Sequence, residues 1–194
     1  LLWQVSNLTR DSFDLYHAHI YLLNEAGDTL ELVAGAGEAG QTMVAEGRMI
    51  PLAREDSLVA TAARTHEGVI ANDVTQNPNF LPHPMLPETK AEMAVPMIVG
   101  GTVVGVLDVQ SNTTNRFTDE DVRVKTTLAS QIAVAVTNTR SFEQSEKRAA
   151  ELAVVSEISA RATTNLDPET LLTEAAELVS EGFDLYHMHL YLAI

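Results

Sequence analysis

Residues 13–22 read FDLYHAHIYL and residues 183–192 read FDLYHMHLYL, 170 positions apart. The match extends backwards, with Leu1-Leu2 answering Leu171-Leu172 and Leu8 answering Leu178. Solenoid repeats recur every 20–50 residues or so, and this period is far longer. It has the length of a domain plus its linker. The chain therefore reads as a stretch of a tandem array in which one unit is nearly whole and the next has begun. The expected organisation is a unit over 1–140, a helical coiled-coil linker over 141–167, and the start of a second copy over 168–194. A chain of 194 residues has room for one cored domain plus extra, not for two full ones. An opening at Leu1 instead of Met fits a piece cut from a longer array.

Inside the first unit, Leu1, Leu2, Val5 and Leu8 fall at helical spacing. A strand is expected over 14–23, with Tyr16, Ala18, Ile20 and Leu22 on one face and His17, His19 and Tyr21 on the other. Asn24 to Asp28 is a hairpin turn by composition, and a strand returns over 29–36. Gly35, Gly37 and Gly40 then read as a loop, and Gln41-Thr42-Met43 does not open a convincing helix. A short strand over 49–52 precedes a helix capped near Asp56-Ser57. Val69-Ile70 begins another extended piece, and 94–99 and 102–110 form a hairpin about Gly100-Gly101. Between them, 72–90 holds four of the seven prolines and reads as a lid or binding loop. Thr118 followed by Asp119, Glu120 and Asp121 opens a long helix free of Pro and Gly until Pro168. The fold class expected is α+β, a mostly antiparallel sheet of about six strands with flanking helices and a long C-terminal helix.

Composition removes several functions. Lys plus Arg number 12 against 27 Asp plus Glu, a formal net charge of −15. Such a chain is a poor partner for nucleic acid or an anionic membrane. It has no cysteine, which excludes disulfides, thiolate nucleophiles, Cys-ligated metals and thioether-linked cofactors. The longest uncharged apolar stretch, 94–107, is too short to span a bilayer, so the expected location is cytoplasmic.

The segments FDLYHAHIYLLNEAGDTLELVAGAG, IPLAREDSLVATAARTHEGVIANDV, NPNFLPHPMLPETKAEMAVPMIVGGTVVGVLDVQS and FTDEDVRVKTTLASQIAVAVTNTR together resemble a GAF domain, the small-molecule sensor module of signalling proteins. Tandem copies on a long helix are similar to the input half of a bacterial multi-sensor histidine kinase. The resemblance implies a ligand site on one sheet face, here the His17/His19/Tyr21 face beneath the 72–93 lid. It also implies what is missing. Bilin-binding members use a Cys, as do members that reduce methionine sulfoxide, and the chain has none. The cyclic-nucleotide signature is incomplete: Asn115, Phe117, Asp119 and Glu120 lack the Lys and stand too close together, which reads as helix-cap chemistry.

The candidate ligand-binding residues are His17, His19, Tyr21, Asp73, Phe80, His83 and Met93, with no metal site and no catalytic residue assigned. His17-x-His19 puts two imidazoles on one face about 7 Å apart. They could line a small-ligand pocket, make structural hydrogen bonds, or hold a metal given a third ligand such as His83 or Asp73. Asp108, in an apolar strand, points either inward to a partner or to an edge. No Asp/His/Ser set stands at catalytic spacing, so a non-catalytic module is expected. Its cofactor is unknown, and its ligand is expected to be small and uncharged or cationic. The alternative is a ligand-free spacer. Leu128, Ile132, Ala135 and Phe142 step as a coiled-coil seam and suggest a homodimer. The 168–194 copy is expected to dock on a GAF sheet, either as a swapped element in another chain or as an added edge strand.

Overall fold

The structure is a computed structural model that describes residues 1–164 and, beyond them, 172, 173, 176, 177, 179, 180 and 186. The docking expected of 168–194 and the second His187-x-His189-x-Tyr191 strand fall outside the described residues. The chain divides into two compact units, Leu1–Thr137 and Asn138–Ile194.

In the first unit, helix α1 (Leu2–Ser12) leads into strands β1 (His17–Leu23) and β2 (Thr29–Gly35). Helix α2 (Gly37–Ala45), β3 (Met49–Pro51), α3 (Leu58–Thr65) and β4 (Val69–Ala71) follow. After a 3-10 turn at Val74–Gln76 come β5 (Ala91–Val99), β6 (Thr102–Ser111) and α4 (Asp119–Thr164). The six strands form one sheet in the order β3-β2-β1-β6-β5-β4, with every neighbouring pair antiparallel. Strand β1 is therefore internal, flanked by β2 and β6.

Local chemistry explains most boundaries. Ser57 caps α3, its hydroxyl oxygen accepting from the Ala60 N–H at 3.2 Å. Thr118 and Asp121 cap α4 reciprocally: the Asp121 N–H donates to Thr118 Oγ1 at 3.2 Å, and the Thr118 N–H donates to Asp121 Oδ2 at 3.0 Å. The segment 37–45, expected to be loop, is helical. Its glycines serve a packing purpose instead of a loop: a Cβ on Gly40 would sit 2.1 Å from the Gly35 carbonyl carbon. The missing side chain lets α2 lie directly against the end of β2.

The sheet buries both faces. On one, Ala18, Ile20 and Leu22 join Met93, Val95, Leu107 and Val109 beneath Ala129, Ile132, Ala133 and Val136 of α4, with Leu2, Trp3 and Val5 of α1 packed alongside. On the other, Tyr21, Leu30, Leu32, Ala94 and Val106 meet Met43 of α2, Leu58 and Val59 of α3, and Leu86, Phe80 and Leu81 of the 72–90 segment. Tyr16, just ahead of β1, packs with this second cluster instead of the first.

This arrangement corrects the seam. Ile132 is buried and Leu128 half-buried in the core of their own chain, because the first turns of α4 cover the sheet. Ala135 is half-buried, while Phe142 is 63% exposed. Among the described residues, no helix is long and apolar enough to cross a membrane.

Candidate functional site

The period-two alternation of β1 sends His17, His19 and Tyr21 to the face opposite Ala18, Ile20 and Leu22. His17 and His19 are 3% and 1% exposed, with ring centroids 4.3 Å apart, and Tyr21 meets His19 edge-on at 5.7 Å. Register brings their partners. His19 stands opposite Asp108 on β6, and His17 opposite Gln110; Gln110 in turn faces Glu92 on β5. His19 Nδ1 donates to Asp108 Oδ2 at 3.0 Å, and Gln110 Nε2 donates to the same oxygen at 3.0 Å. The Thr89 hydroxyl lies 2.7 Å from Gln110 Oε1. Gly35 makes room over the pair: a Cβ there would approach His19 Cδ2 to 3.0 Å.

The cluster combines acids and imidazoles that are all buried. Burial, then the charges of His19 and Arg10, push His17 down to about 3, so its ring is neutral. Burial, then the Asp108 carboxylate beside it, push Glu92 well above the ordinary carboxylate value. Burial pushes the Tyr21 phenol up, while Arg48, whose Nε donates to the Tyr21 oxygen at 3.2 Å, opposes it. Three buried atoms in this cluster have no hydrogen-bond partner: His17 Nε2, His19 Nε2 and Asp108 Oδ1. Buried polar atoms are nearly always paired, so three orphans on neighbouring side chains single this cluster out as the candidate site.

The structure gathers His17, His19 and Tyr21 as expected, and resolves Asp108 as inward and paired. The lid residues divide. Phe80 packs with the second cluster. His83 is half-buried, held down by burial and by Arg48, with His19 near enough to add to the effect. Asp73 instead caps the 3-10 turn, accepting from the Thr75 N–H at 3.0 Å. Met93 lies on the opposite face, in the core under α4, because it alternates with Glu92 and Ala94. Among the described residues, no three His, Asp or Glu side chains are grouped so as to hold a metal ion. Glu92, Gln110, Thr89 and Arg48 join the cluster without belonging to the sequence motif. The signal for the first two was present: one acid in AEMAVPM and one amide in LDVQS, each in phase with the site face.

Comparison with known proteins agrees with the fold and adds a function to consider. Residues 1–137 match the family model described as GAF domain. The free methionine-R-sulfoxide reductase of Escherichia coli (strain K12) is 28% identical over 134 residues, covering 66% of this chain and 72% of that protein. The type II free methionine-R-sulfoxide reductase of Thermoplasma acidophilum superposes with a TM-score of 0.59 at 23% identity, over 71% of this chain and 90% of the other. The GAF domain of an Acinetobacter phosphoenolpyruvate-protein phosphotransferase superposes with a TM-score of 0.63 at 20% identity, over 74% and 84%. Likenesses at 23% and 20% identity show the shared fold. The E. coli reductase overturns the expectation that this chain is no enzyme, since the sequence similarity runs to a catalyst over most of the folded unit. The family match, the sheet order and the two-faced core agree, and the chain belongs to the GAF domain family.

Proposed function

We propose that this chain is a sensory module of a signal-transduction protein, of the kind found ahead of histidine kinases, which binds a small ligand on the His17/His19/Tyr21 face. The observation that carries the reading is the set of three orphaned, fully buried atoms on His17, His19 and Asp108. A ligand-free spacer would fill that face with apolar side chains and avoid the cost of ~1–3 kcal/mol per unpaired group. The repeat supports the same reading. Between 17–22 and 187–192, the residues that face the site in the first copy are identical, His-x-His-x-Tyr. The only differences, Ala18 against Met188 and Ile20 against Leu190, occur at positions that face the core in the first copy.

The relay would run through α4 as a homodimer. Phe142, Leu152 and Val155 are exposed apolar residues on its second half, suited to a partner helix. Native mass spectrometry of gently purified protein tests the ligand. A bound small molecule lost in His19→Ala is expected; protein that carries none, and that no metabolite extract stabilises, would leave the spacer reading.

A second reading, favoured by the E. coli relative, is that the same site transforms its ligand. Reduction of free methionine sulfoxide turns two thiols into a disulfide while the sulfoxide oxygen leaves as water. The chain has no cysteine, so an added thiol would supply the electrons and His19, Asp108 and Glu92 would handle protons. Methionine formation with added dithiothreitol, lost in Asp108→Asn, would support this reading. Ligand binding without product would leave the sensor reading.

A further inference from the structure

Helix α4 carries a charge where its pattern asks for an apolar residue. Its inward stripe runs through Ala129, Ile132, Ala133 and Val136. One turn earlier on the same stripe stands Lys125, whose side chain is 2% exposed. Its ammonium lies 3.6 Å from the centre of the Phe13 ring and donates to Asp121 Oδ1 at 3.2 Å. Phe13 is the residue that ends α1, and the chain then turns into β1 through Asp14 in the left-handed region, at φ 49°.

A second cation grips the same residue. Arg116, just ahead of α4, donates from Nη2 to the Phe13 carbonyl at 2.9 Å, and its Nη1 lies 3.8 Å from Asp121 Oδ1. One carboxylate thus holds both cations. Its other oxygen caps α4, accepting from the Thr118 N–H at 3.0 Å and the Thr118 hydroxyl at 2.8 Å. The cap of α4 and the grip on α1 draw on the same side chain. Packing alone does not account for a lysine here. Desolvation offsets what a buried ion pair gains, so an apolar residue of similar length is often as good or better. Methionine would continue the stripe and lay its thioether against the Phe13 ring. It would lack only the tie to Asp121. That acid, 20% exposed, would keep Thr118 and Arg116 as partners.

We infer that Lys125, with Asp121 and Arg116, is a latch that holds the end of α1 to the first turns of α4, so that the two helices open and shift together. This rests on the reading of α4 as the relay and adds an input to it. A displacement of α1 reaches α4 through Phe13 without crossing the His17/His19/Tyr21 face. Coupling of this kind needs a contact with two arrangements. Here they are Phe13 under the ammonium and Phe13 withdrawn from it.

Native-state amide exchange of the whole chain across a urea series tests the latch. In the parent, amides in the last turn of α1 (9–12) and in the first turns of α4 (122–126) are expected to share one protection and one urea dependence. Lys125→Met is expected to keep or raise the urea midpoint while the α1 amides exchange roughly tenfold or more faster and those of α4 do not follow. Phe13→Leu should release α1 in the same way, and the double variant should be no faster than either single change, because both remove one contact. The parent comparison stands even if a variant fails to fold. Helices that already open separately in the parent would overturn the latch. So would a lowered midpoint in Lys125→Met with both helices accelerating together, which is a lysine that merely stabilises, and so would no change in either helix. Each of these failures leaves the ligand site and the α4 dimer standing, since mass spectrometry and sedimentation decide those.

Discussion

At the scale of single residues, burial sets two opposing pH dependences. His17 is held at about 3 against an ordinary value near 6.5, so between these values the unfolded chain binds a proton that the folded chain does not. Its contribution to stability is present above pH 6.5 and is lost as pH falls, by at most ~1.4 kcal/mol per pH unit. Glu92 acts the other way. Its folded value is raised, so above about pH 4.5 the folded chain holds a proton the unfolded chain releases, and stability drops as pH rises. Urea midpoints at pH 5, 6, 7 and 8 separate the two. His17→Phe should lose less stability than the parent on going from pH 7 to 5, and Glu92→Gln should gain on the parent from pH 5 to 8. Parallel curves would show that neither group titrates differently on folding. Gly40 gives a purely steric case: its Cβ would meet Gly35 backbone at 2.1 Å, and backbone cannot step aside as a side chain can. Gly40→Ala should cost about 1–3 kcal/mol or more and disturb the ring of His19 beneath, seen as a lowered thermal midpoint with altered imidazole resonances.

At the scale of elements, α4 has two different tasks along its length. Through Val136 its inward positions belong to the sheet's core. Ile132→Ala should therefore destabilise the domain by roughly 2–5 kcal/mol, read by chemical denaturation, with no need for a dimer to explain the loss. Removing Phe142, which is exposed, should leave that midpoint within about 0.5 kcal/mol. The entry to α4 is also tied to the lid. Asn72, at the end of β4, donates from Nδ2 to the Phe117 carbonyl at 2.7 Å and accepts from the Phe117 N–H at 2.9 Å. Asn72→Ala breaks both bonds and leaves two part-buried backbone groups of Phe117 without that partner. Faster amide exchange is expected at 73–76 and in the first turn of α4 together; acceleration confined to one of them would show that the two segments are not coupled.

At the scale of the whole molecule, the proposed homodimer depends on residues with no task in the fold of the first unit. Phe142→Glu with Leu152→Glu should shift the mass in solution from dimer to monomer while the thermal transition of the sheet is retained. Sedimentation equilibrium decides it. A dimer unaffected by both changes would place the contact elsewhere, for instance at Leu1 and Leu8, which are also exposed. The family match sits at the same scale. It assigns the chain to a group whose fold carries both regulation and catalysis, and only ligand and turnover measurements on this chain separate them.

Local patterns determined much of this protein. The alternation in HAHIYL, the hairpin glycines at 100–101, the caps at Ser57 and Thr118 and the GAF-like segments depend on neighbours a few residues away, and the structure reproduces them. What the sequence left open depended on contacts across long separations. Asp108 could face in or out until β1 paired beside it and put His19 at 3.0 Å. Glycine disfavours helix, so the glycines of 37–45 favour a loop by local pattern, yet contact with Gly35 at the end of β2 rewards the missing side chain in α2. Leu128 and Ile132 fit a coiled-coil seam by spacing, but a helix face that covers a sheet has nearly the same period as one that covers another helix. Met93 and Glu92 are one residue apart and end on opposite faces of the sheet, in the core and in the site. Register with β6 decided which was which, and register is a property of the assembled sheet.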